Sequence, residues 1–287
     1  MLRSSTIQLL RLHFSIFLLP VYLFALSQVP AIHTAHALFI FFILHFLVYP
    51  SSNGYNSFMD RDETPIGGVK NPMQPTRELF YVSLIMDGAA IVLSIFISYW
   101  FAICIVAYIA ASKAYSYRGI RLKKYPVGGY VTVILFQGAL TYFMVYHGSS
   151  INKTLTVPPA DMLAASLMIG GFYPLTQIYQ HESDRKDGVI TISAFLGYRG
   201  TFIFTALIYT LAMSVLAWSF FSHGEQNKFL ALATTMLPIL VYFFMWAGLV
   251  WKDERNANFA NTMRMTILAS ICTNLAFLTL LIWRGFE

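Results

Sequence analysis

The sequence predicts an all-α, polytopic membrane protein. Three observations carry that prediction. Of 287 residues, 57% are hydrophobic and only 11% charged, against about 25% charged in a soluble domain. The mean hydropathy is +0.61. Apolar runs near the length needed to cross a bilayer, about 20 residues, recur along the whole chain. Taken alone, the net charge of +6 points toward a nucleic-acid partner. Its distribution along the chain fits membrane topology instead.

Nine spans are expected, at about 12–30, 34–59, 77–97, 98–116, 126–147, 160–181, 200–222, 228–250 and 261–283. The first follows Arg3 and Arg11, as a signal peptide would. Its length, its Pro20 and the lack of a small-x-small cleavage site favour a span. The second is longer than a bilayer requires. A tight turn near Ser98 and Trp100 is expected between the third and fourth. Cys104 and Cys272 both lie in apolar runs and read as small packing residues rather than a bridge.

The basic residues set the expected orientation. With the N-terminus in the cytoplasm, sixteen Lys and Arg fall on the cytoplasmic side. Only Lys153, Lys228 and Arg284 fall on the other. That asymmetry follows the positive-inside rule and puts the C-terminus on the opposite side. The reading assigns Arg11 to the N-terminal tail and Lys113 to the loop between spans four and five.

Six of the 13 acidic residues sit in two short stretches, each at the cytoplasmic end of a span. The first holds Asp60, Asp62 and Glu63; the second holds Glu182, Asp184 and Asp187. Solvated loop charge is one reading; a site is the other. In the first stretch Asn56, Asp60 and Thr64 recur every four residues, one helical face, before Pro65, Gly67 and Gly68 end the helix. In the second, Gln177, Gln180, Asp184 and Asp187 form a similar stripe, stopped at Gly188. Converging carboxylates at a membrane surface repel one another unless a cation neutralises them. Oxygen ligands without a cysteine cluster favour Mg²⁺, which takes few carboxylates and prefers substrate phosphates. On the same side, Arg118, Arg121, Lys123 and Lys124 occupy four of seven positions. They serve topology alone or clamp phosphate oxygens.

At these residues the sequence resembles the UbiA superfamily of intramembrane prenyltransferases. Asn56 and Asp60 match the first two places of that family's N-x-x-x-D-x-x-x-D motif, and Thr64 stands in the third. Asp184 matches the second place of the D-x-x-x-D motif, and Gln180 stands in the first. Tyr115 and the Arg121-Leu122-Lys123 stretch resemble the loop that contacts diphosphate in several members. Asp62 and Glu63, and on the second side Glu182, are the nearest carboxylates to make good the two lost charges.

The resemblance implies a single transmembrane domain over 1–287. It implies Mg²⁺-dependent transfer of a prenyl group from an allylic diphosphate to a lipophilic or aromatic acceptor, through a carbocation. Asn56, Asp60, Asp62, Asp184 and Asp187 are the implied metal ligands. Arg61, Tyr115, Arg121, Lys123, Gln180 and Arg185 are the implied substrate contacts. Asp60, Asp184, Asn56 and Lys123 are the implied catalytic set. A terpene cyclase of the same type, and a non-catalytic binding or transport protein on the same scaffold, remain as alternatives. The equal spacing of the two acidic segments also suggests a pseudo-repeat, about 12–125 and 126–260.

Four further residues carry expectations. Asp87, deep in the third span, is either functional or hydrogen-bonded within the bundle. His45 is expected to pack between helices, and Asn274 to hydrogen-bond across them. His181 is expected at a solvated helix end. Gly170 and Gly171 are expected to allow close helix packing.

Overall fold

The computed structural model describes residues 2–286. Helices dominate, and among the described residues the only β-type pairings are two isolated bridges. The long segments in chain order are α1 (Ser4–Gln28) and α2 (Thr34–Asp60), then α3 (Arg77–Ser94) and α4 (Tyr99–Ser116). They continue with α5 (Pro126–Ser149) and α6 (Pro159–Gln177). The short α7 (His181–Lys186) comes next, followed by α8 (Ile192–Ser222), α9 (Gln226–Lys252) and α10 (Phe259–Arg284).

Seven described segments are long and apolar enough to cross a membrane: α1, α2, α4, α5, α8, α9 and α10. The expected nine are therefore not all marked by composition. The two others explain themselves. α3 carries Arg77, Glu78 and Asp87, and α6 carries Asp161, two prolines and adjacent glycines. Both have the length of a span but spend apolar positions on internal polar contacts. The chain is an integral, multi-pass membrane protein. Its outer surface agrees: Leu207, Trp218 and Phe244 are 66%, 65% and 64% exposed, as side chains facing lipid must be.

Helix starts are written in the sequence. Ser98, Thr191 and Asn258 cap α4, α8 and α10 by accepting from the backbone N–H three residues on. Pro126 and Pro159 open α5 and α6, where the missing N–H costs nothing. The tight α3–α4 turn falls as expected, between Ser94 and Tyr99.

The bundle has two ends. At one, Arg118 Nε donates to the Met59 carbonyl at 2.8 Å, Arg121 reaches Asp187, and Arg199 bonds the Trp251 carbonyl at 3.1 Å. At the other, the His33 N–H bonds the Ser149 carbonyl at 2.7 Å, and Ser98 meets His147 at 2.8 Å. The two acidic stretches lie at the first end.

Small residues bring the helices close. A Cβ on Gly170 would meet the Tyr130 hydroxyl at 2.5 Å, and one on Gly171 the Tyr209 ring at 2.8 Å, as expected of that pair. Within α5, residues Ile134–Leu140 widen into a π-helical turn. Ser166 of α6 stitches that turn together. Its hydroxyl donates to the Ile134 carbonyl at 2.9 Å and accepts from the Ala139 N–H at 3.0 Å. Asn274 bonds the Ile16 carbonyl at 3.2 Å, across helices as expected. His45 packs among Tyr22, Phe41 and Tyr49. Cys104 and Cys272 are buried and free.

Candidate active site

α2 ends at Asp60 because Arg61 turns left-handed, φ 54°. The helix therefore stops one turn earlier than the Asn56–Asp60–Thr64 stripe requires, and Thr64 is exposed in the following loop. Thr64 is not the third place of a helical motif. Asp62, just past the turn, lines the central cavity instead.

The second stripe survives a break. α6 ends at Gln177, a 3₁₀ turn spans Ile178–Gln180, and α7 starts at His181. Gln177, Gln180, Asp184 and Asp187 all line the same cavity despite the change of pitch. Gly188 (φ 69°) ends the segment in the left-handed region, where a side chain would be strained. His181 is not a solvated end. It is buried, bonds Ser193 Oγ at 2.8 Å and stacks on Tyr198.

The cavity measures about 280 Å³. Its polar end is formed by Asn56, Asp60, Asp62, Lys123, Gln180 and Asp184; its far wall by Phe17, Phe136, Ile169 and Phe172. The 117–125 loop straps the two acidic stretches together. Lys123 is paired with Asp60. Arg121, 8% exposed and left-handed at φ 51°, is paired with Asp187 and stands 3.6 Å from Asp60. Arg118 approaches Asp187 at 3.7 Å.

The expected site residues divide accordingly. Asn56, Asp60, Asp62, Asp184, Gln180, Tyr115 and Lys123 are gathered on one cavity. Arg121 does not line it but bridges its two acidic walls. Asp187 lines it, yet its carboxylate is engaged by Arg121 and so is less free to hold a metal than expected. Arg61 and Arg185 are exposed and off the cavity wall, so neither is placed to contact a substrate there. Arg61 is spent on ending its helix, and Arg185 falls on the outer face of α7.

Sequence reasoning missed several residues. Arg11 was assigned to the tail, but it is buried within α1 and lines the cavity. It donates to the Gly67 carbonyl at 3.2 Å and the Asn53 carbonyl at 3.4 Å. A lone arginine just before an apolar run reads as topology; nothing in the pattern marks it as inward-facing. Tyr173 and Tyr179 also line the cavity. Tyr173 bonds the Tyr115 hydroxyl and accepts from Gln177 Nε2 at 2.7 Å. Lys113 lies in the last turn of α4 rather than in the loop, paired with Asp87.

The electrostatics favour a cation. Burial pushes the Asp184 carboxyl up to about 7; Asp62, Asp60 and Asp187 push the same way and Lys123 opposes. Burial also pushes Asp62 up to about 6, aided by Asp60 and opposed by Lys123 and Arg11. Asp60 Oδ1 is buried without a hydrogen-bond partner. Among the described residues no three His, Cys, Asp or Glu side chains form a ready-made cage. Mg²⁺ takes one or two carboxylates and completes its shell with water and phosphate oxygens.

A sequence model of the UbiA prenyltransferase family matches residues 16–268. The chain belongs to the UbiA prenyltransferase family. No curated protein matches it in sequence. Solved structures of low identity share its fold. A UbiA homolog from Archaeoglobus fulgidus bound to DMAPP and Mg²⁺ is 20% identical, with a TM-score of 0.71 over 97% of this chain and 99% of that one. The same homolog bound to GPP and Mg²⁺ is 21% identical, TM-score 0.69, with the same coverage. A UbiA homolog from Aeropyrum pernix K1 in its apo form is 18% identical, TM-score 0.68, over 94% of this chain and 98% of that one. The UbiA fold thus spans nearly the whole of both partners in each comparison.

Proposed function

We propose that this UbiA-family protein is a Mg²⁺-dependent prenyltransferase. It transfers the prenyl group of an allylic diphosphate to a lipophilic or aromatic acceptor inside the membrane. One observation carries the reading: a single cavity has two half-buried acidic segments and a lysine at one end and aromatic and aliphatic walls at the other. That is the polarity of an isoprenoid diphosphate. The relatives bound to DMAPP or GPP with Mg²⁺ support the same donor class.

All nine long helices cross the bilayer in this reading, with the N-terminus and the acidic end in the cytoplasm and the C-terminus opposite. The positive-inside asymmetry supports that orientation. The chain works as one transmembrane unit whose halves, about 12–125 and 126–260, form a pseudo-repeat.

Asp60, Asp62 and Asp184, with Asn56 and Gln180 as neutral oxygen donors, would hold the metal. Bound there, Mg²⁺ supplies positive charge against the diphosphate as the C–O bond breaks. Lys123 moves part of its pairing from Asp60 to phosphate oxygens, while Arg121 holds Asp60 and Asp187 in place behind it. The Lys123 ammonium stabilises the same developing charge from the loop side. Tyr115 and Tyr173 present hydroxyls at the boundary of the polar and apolar halves. Phe17, Phe136 and Phe172 keep water from the allylic cation, which water would otherwise capture as an alcohol. Their ring faces add cation–π attraction.

The test is diphosphate release by purified protein in nanodiscs, with geranyl, farnesyl and geranylgeranyl diphosphates, Mg²⁺ and a membrane-lipid extract as acceptor source. Release that requires Mg²⁺ and is lost in Asp60→Ala and Asp184→Ala supports the reading. A transferred rather than cyclised product separates it from a cyclase. Absence of release from folded protein refutes it and favours a binding or transport role.

A further inference from the structure

Three polar side chains run in a line along one wall of the cavity. Tyr173 and Gln177 lie four residues apart on α6, so they share a face. Gln177 Nε2 donates to the Tyr173 hydroxyl at 2.7 Å. The Tyr173 hydroxyl in turn meets that of Tyr115, in the last turn of α4. All three residues line the cavity. Gln177 is only 6% exposed, and its Oε1 is buried without a hydrogen-bond partner. An amide held this way at the end of a membrane helix is costly, and packing α6 against α4 does not require it.

The line has a direction. An amide N–H can only donate, so it fills one lone pair of the Tyr173 oxygen. The Tyr173 proton then needs an acceptor. Among the described residues the only one it meets is the Tyr115 oxygen. Tyr115 accepts that bond and keeps its own proton to give. The Tyr115 hydroxyl makes no other hydrogen bond among the described residues, and the cavity it lines has Asp60, Asp184 and Lys123 at its polar end. Each bond in such a chain polarises the next, so its last hydroxyl donates more strongly than a lone phenol.

Resting on the prenyltransferase reading, we infer that Gln177 and Tyr173 are positioning residues that aim the Tyr115 proton at the leaving diphosphate. As the C–O bond breaks, both of its electrons pass to the ester oxygen. Tyr115 shares its proton with a phosphate oxygen and keeps it, so the step needs no acid or base. The direction of the chain is what matters. If Tyr115 donated to Tyr173 instead, the Tyr173 proton would be left without an acceptor, and the diphosphate would face a phenol lone pair rather than a proton. The Gln177 amide excludes that arrangement by filling the Tyr173 oxygen from behind.

The experiment is a set of single and double variants of the full-length protein in nanodiscs, read as Mg²⁺-dependent diphosphate release from the donor that the unmodified protein turns over fastest. Tyr115→Phe removes the final donor and should lower kcat about 10²-fold. Tyr173→Phe and Gln177→Met should each lower kcat about tenfold and leave the KM for the donor unchanged, because they weaken a contact made chiefly in the transition state. In the Tyr115→Phe background neither should slow release further, since both act through Tyr115. The non-reactive thiolodiphosphate analogue of the same donor, titrated with Mg²⁺, should bind both positioning variants as it binds the unmodified protein. Additive losses in the double variants, a changed KM with kcat intact, or lost analogue binding in both positioning variants would show a structural tie between α4 and α6 and overturn the inference. A full rate in Tyr115→Phe would show that the chain points the other way, and overturns it too. Each of these leaves the prenyltransferase reading standing. Absence of release from the unmodified protein overturns both.

Discussion

Lys113 Nζ lies 2.6 Å from Asp87 Oδ2 in the interior of the helix bundle. Ser51 also bonds Asp87 and, through the same hydroxyl, reaches the Ser83 carbonyl at 3.0 Å. The ammonium stands 4.0 Å from the centre of the Tyr55 ring. Three helices, α2, α3 and α4, thus meet on one ion pair. The deep carboxylate on α3 has a partner one helix away.

Removing one partner should therefore cost more than removing both. Lys113→Met leaves a buried carboxylate uncompensated and should destabilise the protein by about 3–5 kcal/mol. The double variant Asp87→Leu, Lys113→Met should recover most of that loss. Thermal unfolding in detergent, followed for both variants, measures the difference. A double-variant loss equal to the sum of the Lys113→Met and Asp87→Leu losses would show that the pair is not coupled.

Asp60 meets Lys123, and Arg121 stands 3.6 Å away. Asp60→Asn removes the charge but keeps the shape. It should lower the rate of diphosphate release by about 10²–10³-fold, the range for losing one preorganised electrostatic contact. Lys123→Met should lower the same rate and also raise the KM for the donor. Asp62→Asn should weaken Mg²⁺ binding, seen as a raised Mg²⁺ concentration for half-maximal release.

The pH dependence follows from Asp62 at about 6 and Asp184 at about 7, both raised chiefly by burial. Unfolded aspartates titrate near ~4. Between those values the folded protein binds more protons than the unfolded chain. Stability of the metal-free protein should thus be highest at the acid end and fall as pH rises from about 4 to 7. Mg²⁺ competes with those protons, so its affinity should rise over pH 6–7 and level off above. Calorimetric titration in two buffers of different ionisation heat would also register the released protons.

Gly138 sits in the π-helical turn of α5, and a Cβ there would lie 2.4 Å from the Ser166 Cα. Backbone cannot swing aside as a side-chain tip can. Gly138→Ala should destabilise by about 1–3 kcal/mol through overpacking. Gly88→Ala, where a Cβ meets nothing within 4 Å, is the matched control. A small or stabilising effect is expected there, because Gly is a poor helix former. Denaturation in detergent compares them.

Much of the site was legible because its chemistry is local. Asn56, Asp60, Gln180 and Asp184 line one cavity, as the paired stripes suggested. The stripes were over-extended at Thr64, where the left-handed Arg61 ends the helix before the face can continue. Helical periodicity cannot see a single residue leaving the helical region, since the next few residues still read as polar. Arg61 and Arg185 were overcounted for a related reason. A cation next to an acidic motif is close in sequence, but its side chain can point outward, as both do.

The sequence by itself determined the solvent and the polarity of this protein. Its apolar composition demands a bilayer. Its basic residues crowd one set of loops, and its acidic stripes recur at that same side. These are properties of short segments, which hydropathy and spacing report directly. Only the tertiary structure decided that Arg11 turns into the cavity and that Lys113 pairs with Asp87. It also set Arg121 as a bridge between the two acidic walls and stacked Phe24 of α1 on Phe277 of α10. Each of these joins residues far apart in the chain. Which side chains meet across helices depends on crossing angle and register, and a helical period of 3.6 residues leaves both free.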